Sequence, residues 1–353
     1  MKQHKHILYG VLNWGLGHAS RSIPVINAFL QKGFTLTIAS DGLALNFLKE
    51  RFPEVSFLAL KDPKISYNAG RKQELKLAQQ LLKLSTWYRN EQKILANFLD
   101  VNSVDLIISD NRPSVKSKRI PSYYITHQLK VKSGLFTPFS TIGHEWLYKD
   151  YDAIWVPDVE SSPNLSGDLS HKSKRKNVTF IGPLSDLKPV ESAPMFNAAI
   201  ILSGPEPQRS IFEAAAISQL AKSELKILLI RGTTKTAENS IPASWKSIDL
   251  ASRADVQNAF EKSNVIIARS GYSTIMDLYS FNKPAILVPT PGQPEQEYLA
   301  TLPLHQKNFE IQSQNNLNLL EGLRQAEIAF ANFKNDGFER NRDAFLQSLP
   351  LRI

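Results

Sequence analysis

Short apolar runs alternate with longer amphipathic stretches along most of the chain. In the first half, the short runs predict seven strands and the amphipathic stretches predict four helices. The strands are expected at His6–Leu12, Thr35–Ser40, Val55–Leu60, Val104–Ser109, Ser122–Thr126, Ala153–Val156 and Val178–Ile181, and the helices at Ser20–Gln31, Leu43–Arg51, Gln73–Leu99 and Thr141–Lys149. This alternation is typical of a parallel sheet with helices on both faces.

The stretch Lys188–Pro194 has two prolines and no periodicity, and it is typical of a linker. The alternation restarts after it, with strands expected at Ala198–Leu202, Ile227–Ile230, Trp245–Ile248, Val265–Ala268 and Ala285–Val288, and helices at Arg209–Leu220, Arg253–Lys262, Ser273–Ser280 and Glu295–Leu302. We therefore expect two Rossmann-like α/β domains that face a cleft, at residues 1–188 and 195–334, joined by a linker at 189–194. The last helix pattern, Asn335–Leu349 within 335–353, could pack on either domain.

The composition of the 353 residues is that of an ordinary globular protein. Cysteine is absent, which excludes disulfides and thiolate metal sites and fits a reducing, cytoplasmic compartment. Asn13 and Gly15 interrupt the apolar run near the amino terminus, which favours a buried strand over a signal peptide. No apolar stretch reaches the ~18–20 residues that a membrane span requires.

Charge is distributed unevenly along the chain. Through Lys188 there are 26 Lys and Arg residues against 16 Asp and Glu, whereas the remainder has 16 against 17. Part of the excess lies in the clusters 116–119 and 172–176. An anionic membrane surface, a phosphate-bearing acceptor or nucleic acid would suit such a surface, and so would water alone. Nucleic acid ranks last, because arginines do not alternate with aromatic residues.

The first predicted strand leads into a glycine-rich loop, Asn13–Arg21, and a helix follows at once. Gly15 and Gly17 permit a sharp turn and close approach of a ligand, and a helix start offers N–H groups to an anion. His18 stands at this helix start, where a histidine can act as a general base near neutral pH. It could instead cap the helix or pack under the loop. The G-x-G-x-x-G dinucleotide fingerprint is not met, because Ser20 occupies its third glycine position.

Two further polar residues follow strands that end at the same edge of the predicted sheet. Asp110 ends the run VDLIISD and could orient His18 and stabilise its protonated form. An Asx-turn before Pro113 is the alternative. His127 follows the fifth strand and suits acceptor binding and a structural role equally well.

A second anion site is expected after the strand Val265–Ala268, where Arg269–Gly271 precedes a helix that begins near Ser273. Thr274 and Asp277 have the spacing of a capping box. If Asp277 is instead functional, it would accept hydrogen bonds from a ribose diol.

The loop after the next predicted strand is rich in amides and carboxylates, at Gln293, Glu295, Gln296 and Glu297. Such groups can bind pairs of hydroxyls on a polyhydroxylated ligand. A solvated helix start is the alternative.

Over Arg269–Tyr298 the chain resembles GT-B glycosyltransferases of the MurG type, related to glycosyltransferase families 28 and 1, which transfer N-acetylglucosamine in peptidoglycan synthesis. Their donor motif reads R-S-G-x-x-T-x-x-E, then V-P, then Q-Q-Y; this chain has R-S-G at 269–271, Thr274, Asp277, V-P at 288–289 and Q-E-Y at 296–298. The resemblance implies the Ser270–Thr274 turn for the diphosphate, Asp277 for the ribose, and Gln296 and Glu297 for the sugar. The whole implied donor set is Gly204, Arg209, Arg269, Ser270, Gly271, Ser273, Thr274, Asp277, Gln293, Gln296 and Glu297.

The first loop is similar to the family's acceptor-side loop, which ends in Gly-His, here Gly17-His18. In related GT-B enzymes this histidine pairs with an aspartate after a later strand, which would be Asp110. The resemblance thus implies His18 and Asp110 as catalytic residues. It also implies an acceptor site in this loop, at Asn13, Trp14, Gly15 and Gly17, to which His127 is added because of its position after the fifth strand.

Three departures from the family pattern affect the expected ligand. The second glycine-rich loop is here Ser203–Arg209, with one glycine and two prolines that lack N–H groups, so we expect Arg209 to replace them at the diphosphate. Asp277 is shorter than the usual Glu, and Glu297 replaces a Gln. The sugar is therefore open, and a strict peptidoglycan function is not expected.

Neither a metal nor another cofactor is expected. The one D-x-D sequence, Asp150–Asp152, precedes a strand and so lies on the side of the sheet away from the cleft.

Together these features predict an inverting, metal-independent transfer of a hexose or N-acetylhexosamine from a nucleotide sugar, UDP-linked, to a hydroxyl of a glycan, glycolipid or lipid-linked acceptor. The expected location is the cytoplasm, with contact to an anionic inner membrane face through the basic half. A UDP-sugar 2-epimerase on the same architecture, or a non-catalytic nucleotide-sugar-binding protein, are the alternatives.

Overall fold

The structure, a computed structural model, describes residues 5–61, 73–130, 148–173, 175–190, 192–235, 240–331, 333 and 338–349. Most of the helix expected at Thr141–Lys149 lies outside these residues.

The first half of the chain forms a parallel sheet of seven strands in the order β3-β2-β1-β4-β5-β6-β7. The strands are β1 (His6–Val11), β2 (Thr35–Ser40), β3 (Ser56–Ala59), β4 (Leu106–Asp110), β5 (Ser122–Ile125), β6 (Ala153–Val156) and β7 (Val178–Phe180). The connections carry α1 (Gly17–Gln31), α2 (Gly42–Arg51), α3 (Gln73–Val101) and α4 (Asp168–His171).

The second half forms a parallel sheet of six strands in the order β10-β9-β8-β11-β12-β13. The strands are β8 (Phe196–Ile201), β9 (Ile227–Ile230), β10 (Lys246–Ile248), β11 (Ser263–Ala268), β12 (Ala285–Leu287) and β13 (Glu310–Ile311). The helices are α5 (Gln208–Leu220), α6 (Arg253–Lys262), α7 (Tyr272–Phe281), α8 (Pro294–Ala300), α9 (Pro303–Asn308), α10 (Leu319–Ala331) and α11 (Phe338–Ser348). The expected pair of α/β domains is confirmed, and every expected strand is present.

Central strands are buried on both faces, which explains why they are apolar almost throughout. In β1, Ile7 and Tyr9 pack into the core beneath α1, whereas Leu8 packs on the other face with Leu95 of α3. In the second sheet, Ile200 packs with Phe212 of α5. Helices therefore cover both faces of the sheets.

Four elements were not predicted: α4, α9, β13 and α10. The strand β13 has only two residues, too few for a periodic signal. In α10, the apolar pattern is interrupted at Gly322, where there is no room for a side chain. A Cβ there would be 2.5 Å from Nε2 of Gln312 and 3.0 Å from Cδ1 of Ile286.

The last helix, α11, joins the two domains. Phe345 meets Trp155 of the first sheet edge to face, with ring centroids 4.9 Å apart. Phe338, at the start of the same helix, meets Tyr279 of α7 at 5.3 Å. The helix that the sequence left unassigned therefore packs on both domains.

Each sheet reverses its strand order at one point, between β1 and β4 in the first and between β8 and β11 in the second. Loops at the carboxyl ends of these strands diverge and leave a crevice for ligands. The carboxyl ends of β1, β4, β8 and β11 are therefore the places to look for a site.

Candidate functional site

His18 and Asp110 meet where the first sheet reverses its strand order. Val11 and Asp110 are register partners at the ends of β1 and β4, and the loop after β1 returns His18 to the same point. Nδ1 of His18 lies 2.8 Å from Oδ1 of Asp110, so the predicted contact is present. Because a carboxylate oxygen accepts, Nδ1 carries the proton, and Nε2 of the neutral ring keeps its lone pair.

Asp110 is held by more than the histidine. Both of its oxygens accept from the guanidinium of Arg21, with Nε to Oδ2 at 2.7 Å and Nη2 to Oδ1. The hydroxyl of Ser22 also donates to Oδ2, at 3.3 Å. The carboxylate is fully buried, and these contacts show that it is not the cap of an Asx-turn.

The pKa values of the pair follow from this environment. Burial alone would raise the pKa of Asp110, but Arg21 and the hydrogen bonds bring it down to about 2. Burial, and then the charge of Arg21, lower the pKa of His18 against the opposing effect of Asp110. His18 keeps 13% of its side chain exposed, so the neutral ring remains accessible from the cleft.

A second histidine links this cluster to the other domain. Nδ1 of His127 lies 3.1 Å from Nη1 of Arg21, and its Nε2 lies 2.8 Å from Oε1 of Glu295, the second residue of α8. Gln128 donates to the other oxygen of Glu295. The ring of His127 stacks on Tyr272 of α7, with centroids 4.2 Å apart and planes 3° apart. Residues of both domains therefore meet at His127.

The two domains also approach closely at Gly17, the first residue of α1. A Cβ at Gly17 would lie 2.5 Å from Oγ of Ser273 in α7. The loop that leads to His18 therefore lies directly against the first turn of α7, and a glycine is required there for this approach.

The start of α7 offers N–H groups without side-chain caps. Gly271 is the N-cap residue, and among the residues that the structure describes there is no side-chain cap hydrogen bond at this end of the helix. Ser270 is turned away from this turn, because its hydroxyl donates to the carbonyl of Gln296 at 2.9 Å. The predicted anion site at Ser270–Thr274 thus has the backbone geometry of a helix start that can bind a phosphate group.

Gln296 braces the neighbouring loop. Its Oε1 accepts from the N–H of Thr290 at 2.9 Å, and its Nε2 lies 4.0 Å from the position of a Cβ at Gly271. In the described part of the chain, Oγ1 of Thr290 and Oε1 of Gln293 are buried and have no hydrogen-bond partner. Two buried polar atoms of this loop therefore lack a partner within the described part of the chain.

Asp277 does not cap α7, so the capping-box alternative is wrong. Its Oδ1 accepts from the hydroxyl of Ser185 at 2.5 Å, and both oxygens accept from Arg253 at 3.1 Å. Burial raises the pKa of Asp277, against the charge of Arg253. A ribose diol must therefore share or replace these contacts.

Two arginines expected at the donor are occupied elsewhere. Arg209 is buried and donates to Glu206 at 2.8 Å and Glu213 at 3.2 Å. Arg269 is buried over Phe212, and it donates to Gln314 at 2.6 Å and to the backbone carbonyls at 208, 288 and 289. Arg209 thus braces its own loop in this conformation, and the expected contact with a diphosphate would require it to leave Glu206 or Glu213. Arg269 binds the three loops that contain residues 208, 288–289 and 314, and it does not face the cleft.

The remaining predicted residues belong to the loop after β1, the loop after β8 and helix α8. Trp14 is 62% exposed in the loop after β1, whereas Oδ1 of Asn13 accepts from the N–H of Ala44 in α2 at 3.2 Å. Gly204 adopts a positive φ of 97°, and its Cβ position lies 3.7 Å from Oγ1 of Thr290. Glu297 is exposed and accepts from the N–H of Gly292 at 2.8 Å.

The sequence analysis missed three residues of the site, Arg21, Tyr272 and Thr290, and it named Glu295 without its partner His127. Arg21 is three residues after His18, which places both on one helix face, and this spacing was readable. Tyr272 donates to the carbonyl of Pro157 at 2.8 Å, and no local pattern marks such a contact.

The D-x-D sequence lies away from the cleft, as expected. Asp150 pairs with Lys116 at 3.4 Å, and Asp152 accepts from the N–H of Ser122, the first residue of β5. Both carboxylates are thus at the amino edge of the sheet. Across the described ranges, no three His, Cys, Asp or Glu residues are grouped so as to hold a metal ion.

None of the helices in the described part of the chain combines the length and the apolar character needed to cross a bilayer.

Comparison with known proteins supplies the identity of these two domains. Residues 5–133 match the model of the family described as Glycosyl transferase family 1, and residues 202–348 match that of the Glycosyltransferase family 28 C-terminal domain. An uncharacterized glycosyltransferase of Methanosarcina acetivorans is 24% identical over 328 residues, which cover 84% of this chain and 80% of that protein.

Solved structures share the whole architecture. The glycotransferase of kitacinnamycin matches with a TM-score of 0.69 and 15% identity over 100% of this chain and 99% of that one. Arabidopsis thaliana UGT89C1 in complex with UDP-L-rhamnose gives 0.67 and 12%, and Acinetobacter baumannii MurG gives 0.55 and 15%, each over 99% of both chains. These structures show that the chain has the GT-B fold, and the two family matches make it a glycosyltransferase, with an amino-terminal domain similar to family 1 and a carboxy-terminal domain similar to that of family 28.

Proposed function

We propose that this enzyme transfers a hexose or N-acetylhexosamine from a nucleotide sugar, UDP-linked, to a hydroxyl of a glycan, glycolipid or lipid-linked acceptor. The observation that carries the proposal is the His18–Asp110 pair, which lies at the loop that contacts the start of α7 through Gly17 and Ser273. The contact between Gly17 and Ser273 therefore has the proposed base, His18, on one side and the helix start that would bind the diphosphate on the other.

The proposed step is a single displacement. Nε2 of His18 takes the proton of the acceptor hydroxyl, whose oxygen forms a bond to the anomeric carbon. The bond from that carbon to the diphosphate oxygen breaks, and the diphosphate leaves toward the N–H groups at the start of α7. Because the acceptor attacks from the side opposite the leaving group, the anomeric configuration inverts. The departing charge has N–H donors in this scheme, so the step is written without a metal.

The donor residues take separate roles in this proposal. Ser270, Gly271, Ser273 and Thr274 would hold the diphosphate, and Asp277 the ribose. Gln293, Gln296 and Glu297 would contact the sugar, with Gly204 and Thr290 lining the same gap. The UDP-L-rhamnose complex of the plant neighbour supports a nucleoside diphosphate sugar as the donor class. Trp14, Gly15, Gly17 and His127 would face the acceptor.

The donor assignment is tested by ligand-induced stabilisation. A ligand that binds only the folded state raises the midpoint of thermal unfolding, by about 2.7 kcal/mol of stability at 100 times its Kd. We expect UDP, or one of GDP, CDP and TDP, to stabilise the wild-type protein, and Asp277→Asn to weaken that binding by about tenfold, since one hydrogen bond to a charged group contributes about 1.5–3 kcal/mol.

The control is Glu321→Gln, because Glu321 is exposed and pairs with Arg324 within α10. Stabilisation by no nucleotide of the panel would contradict the donor site. Equal weakening by both substitutions would remove Asp277 from it.

We also propose that the amino edge of the first sheet contacts an anionic membrane face. Basic residues precede three neighbouring strands there: Lys116, Lys118 and Arg119 before β5, Lys149 before β6, and Arg175 and Lys176 before β7. A pocket of about 240 Å³ opens between α3 and the first of these groups. This edge is opposite the cleft, so contact there leaves the active site open.

Co-sedimentation with vesicles tests this contact. Vesicles of phosphatidylglycerol are expected to retain the protein more strongly than those of phosphatidylcholine, because surface cations are attracted by about 1 kcal/mol each. Lys118→Glu with Arg119→Glu would abolish the difference. Lys222→Glu with Lys226→Glu, in the second domain, would preserve it.

A further inference from the structure

We propose that Arg21 is a positioning residue of the transfer reaction, and that it sets the proton arrangement of both cleft histidines: Nδ1–H toward Asp110 in His18, and Nε2–H toward Glu295 in His127. The inference rests on the proposed role of His18 as the base. It adds to that role a residue that touches neither substrate nor reacting atom, and that acts through Asp110 and His127.

The first part of the argument is the grip of Arg21 on Asp110. Nε and Nη2 each donate to a different carboxylate oxygen, which fixes the plane of the carboxylate as well as its position. Arg21 is only 2% exposed, so water does not compete for these bonds. Oδ1, thus fixed, receives Nδ1–H of His18 and sets the direction of its ring.

The second part is the contact with His127. A guanidinium can only donate, so Nδ1 of His127, 3.1 Å from Nη1 of Arg21, must accept. The proton of the neutral ring is therefore on Nε2, which donates to Oε1 of Glu295 at 2.8 Å. A proton on Nδ1 would bring two N–H groups face to face, so this geometry places the lone pair of His127 on Nδ1.

The charges around His18 lead to the same arrangement. Asp110 faces it from β4, Arg21 from its own helix, and His127 and Glu295 from beyond β5 and from α8. In a His–Asp pair alone, the carboxylate stabilises the protonated ring. Here Arg21 offsets the charge of Asp110, and its own charge lowers the pKa of His18, in addition to the effect of burial.

Neighbouring phenols do not change this balance. Tyr9 of β1 and Tyr272 of α7 are buried close to Arg21, and burial raises the pKa of each far above the physiological range. Both stay neutral wherever the enzyme is folded and active. After burial, Arg21 therefore has the largest lowering effect on the pKa of His18.

The direct test is NMR of the protein with ¹⁵N-labelled histidine, with the rings assigned from His18→Ala and His127→Ala. In the wild-type protein we expect His18 as the Nδ1–H form and His127 as the Nε2–H form near neutral pH. In Arg21→Gln, the protonation midpoint of His18 is expected to rise by about 1 pH unit or more, since a charge within 4–6 Å shifts a pKa by about 1–3 units.

Kinetics supply a second reading. Protonation of the base removes activity on the acid side, so a higher midpoint moves the acid limb of kcat/KM to higher pH. Arg21→Gln should show that shift by the same amount. Arg21→Lys keeps the charge but loses the bidentate hydrogen bonds to Asp110. The acid limb of kcat/KM should therefore stay near that of the wild type, while the maximum of kcat/KM falls about tenfold.

The control is Arg112→Lys. Arg112 is a buried arginine of the same domain that is bound to Glu91 and to Asp41, and it does not contact either histidine. It is expected to lose stability without moving the midpoint of His18. A His18 midpoint and acid limb that stay unmoved in both Arg21 variants would overturn the inference, as would a wild-type His127 that carries its proton on Nδ1.

The tautomers and the midpoint are read from the protein without substrate. If they behave as expected while no nucleotide sugar is turned over, the proposed function fails and the inference about Arg21 stands. If transfer occurs and the midpoint does not move, the inference fails alone. If Arg21→Gln does not fold, the wild-type tautomers and Arg21→Lys still decide between the two outcomes.

Discussion

The carboxyl edge of β1 and β4, here called the first rim, has a cluster of charged side chains at the cleft. The carboxyl edge of β8 and β11, the second rim, has arginines that are directed away from the cleft. In the first, Asp110, Arg21 and His18 form one hydrogen-bonded cluster. In the second, Arg209 and Arg269 are bound to their own loops, and the start of α7 presents backbone N–H groups. A proton acceptor must change its charge while held in place, which the first rim provides. A departing diphosphate needs donors that are already aligned and need not leave a partner, which fits the second.

Removal of the proposed base should give the largest difference between the two rims, because it affects transfer and not nucleotide binding. We expect His18→Ala to lower the rate of transfer by about 10²–10⁴-fold, the usual contribution of a positioned general base, and to leave nucleotide affinity unchanged. Initial rates and nucleotide titrations measure the two effects. The control His6→Asn changes a histidine at the opposite end of β1 and should retain transfer. Wild-type rates in His18→Ala would remove it as the base.

The charge cluster of the first rim should also make stability depend on pH. The pKa of Asp110 is about 2 in the folded protein and 3.8 as its ordinary value. A depressed pKa contributes stability that is present above the unfolded value and is lost as the pH falls, here about 2 kcal/mol in all and about 1 kcal/mol by pH 3. Asp110→Asn cannot show this loss.

Urea unfolding at pH 6 and pH 3 measures that loss. The difference in free energy of unfolding between wild type and Asp110→Asn should shrink by about 1 kcal/mol between the two pH values. A constant difference would mean that Arg21 does not lower the pKa of the carboxyl group.

The smallest effect is expected where the two rims touch. Gly17→Ala places a Cβ 2.5 Å from Oγ of Ser273, a clash that a rotation of the hydroxyl only partly relieves. Overpacking of about 1 kcal/mol corresponds to a loss of about fivefold in kcat/KM. Adding Ser273→Ala leaves only Cβ, at 3.4 Å, and should restore activity, because the backbone N–H of residue 273 is retained. Full activity of Gly17→Ala alone would mean that the rims need not approach so closely.

The fold followed from the sequence because both sheets are parallel and buried. Strands such as β1 and β9 are apolar on both faces, so each reads as a short apolar run between amphipathic helices. The exceptions have local causes: β13 is two residues long, and Gly322 interrupts the pattern of α10 in order to pack on Ile286.

The site was predictable in its positions and less so in its contacts. His18 and Asp110 follow strands that end at one edge, and that rule alone brings them together. Sequence cannot show whether an arginine faces a cleft or a buried carboxylate, so Arg209 was expected at the ligand and is bound to Glu213. The partners of Asp277 are Arg253, 24 residues away, and Ser185, 92 residues away, and no local spacing connects them.

The return of α11 to the first domain has a mechanical consequence. The domains are linked along the chain between β7 and β8, and they are also linked by α11, which follows α10 of the second domain and whose Phe345 is anchored on Trp155 of the first. A body attached at two points can swing only about the line that joins them. The two domains are therefore expected to rotate about one axis rather than in all directions. A chain cut short before Phe338 would lose the second of these two attachments.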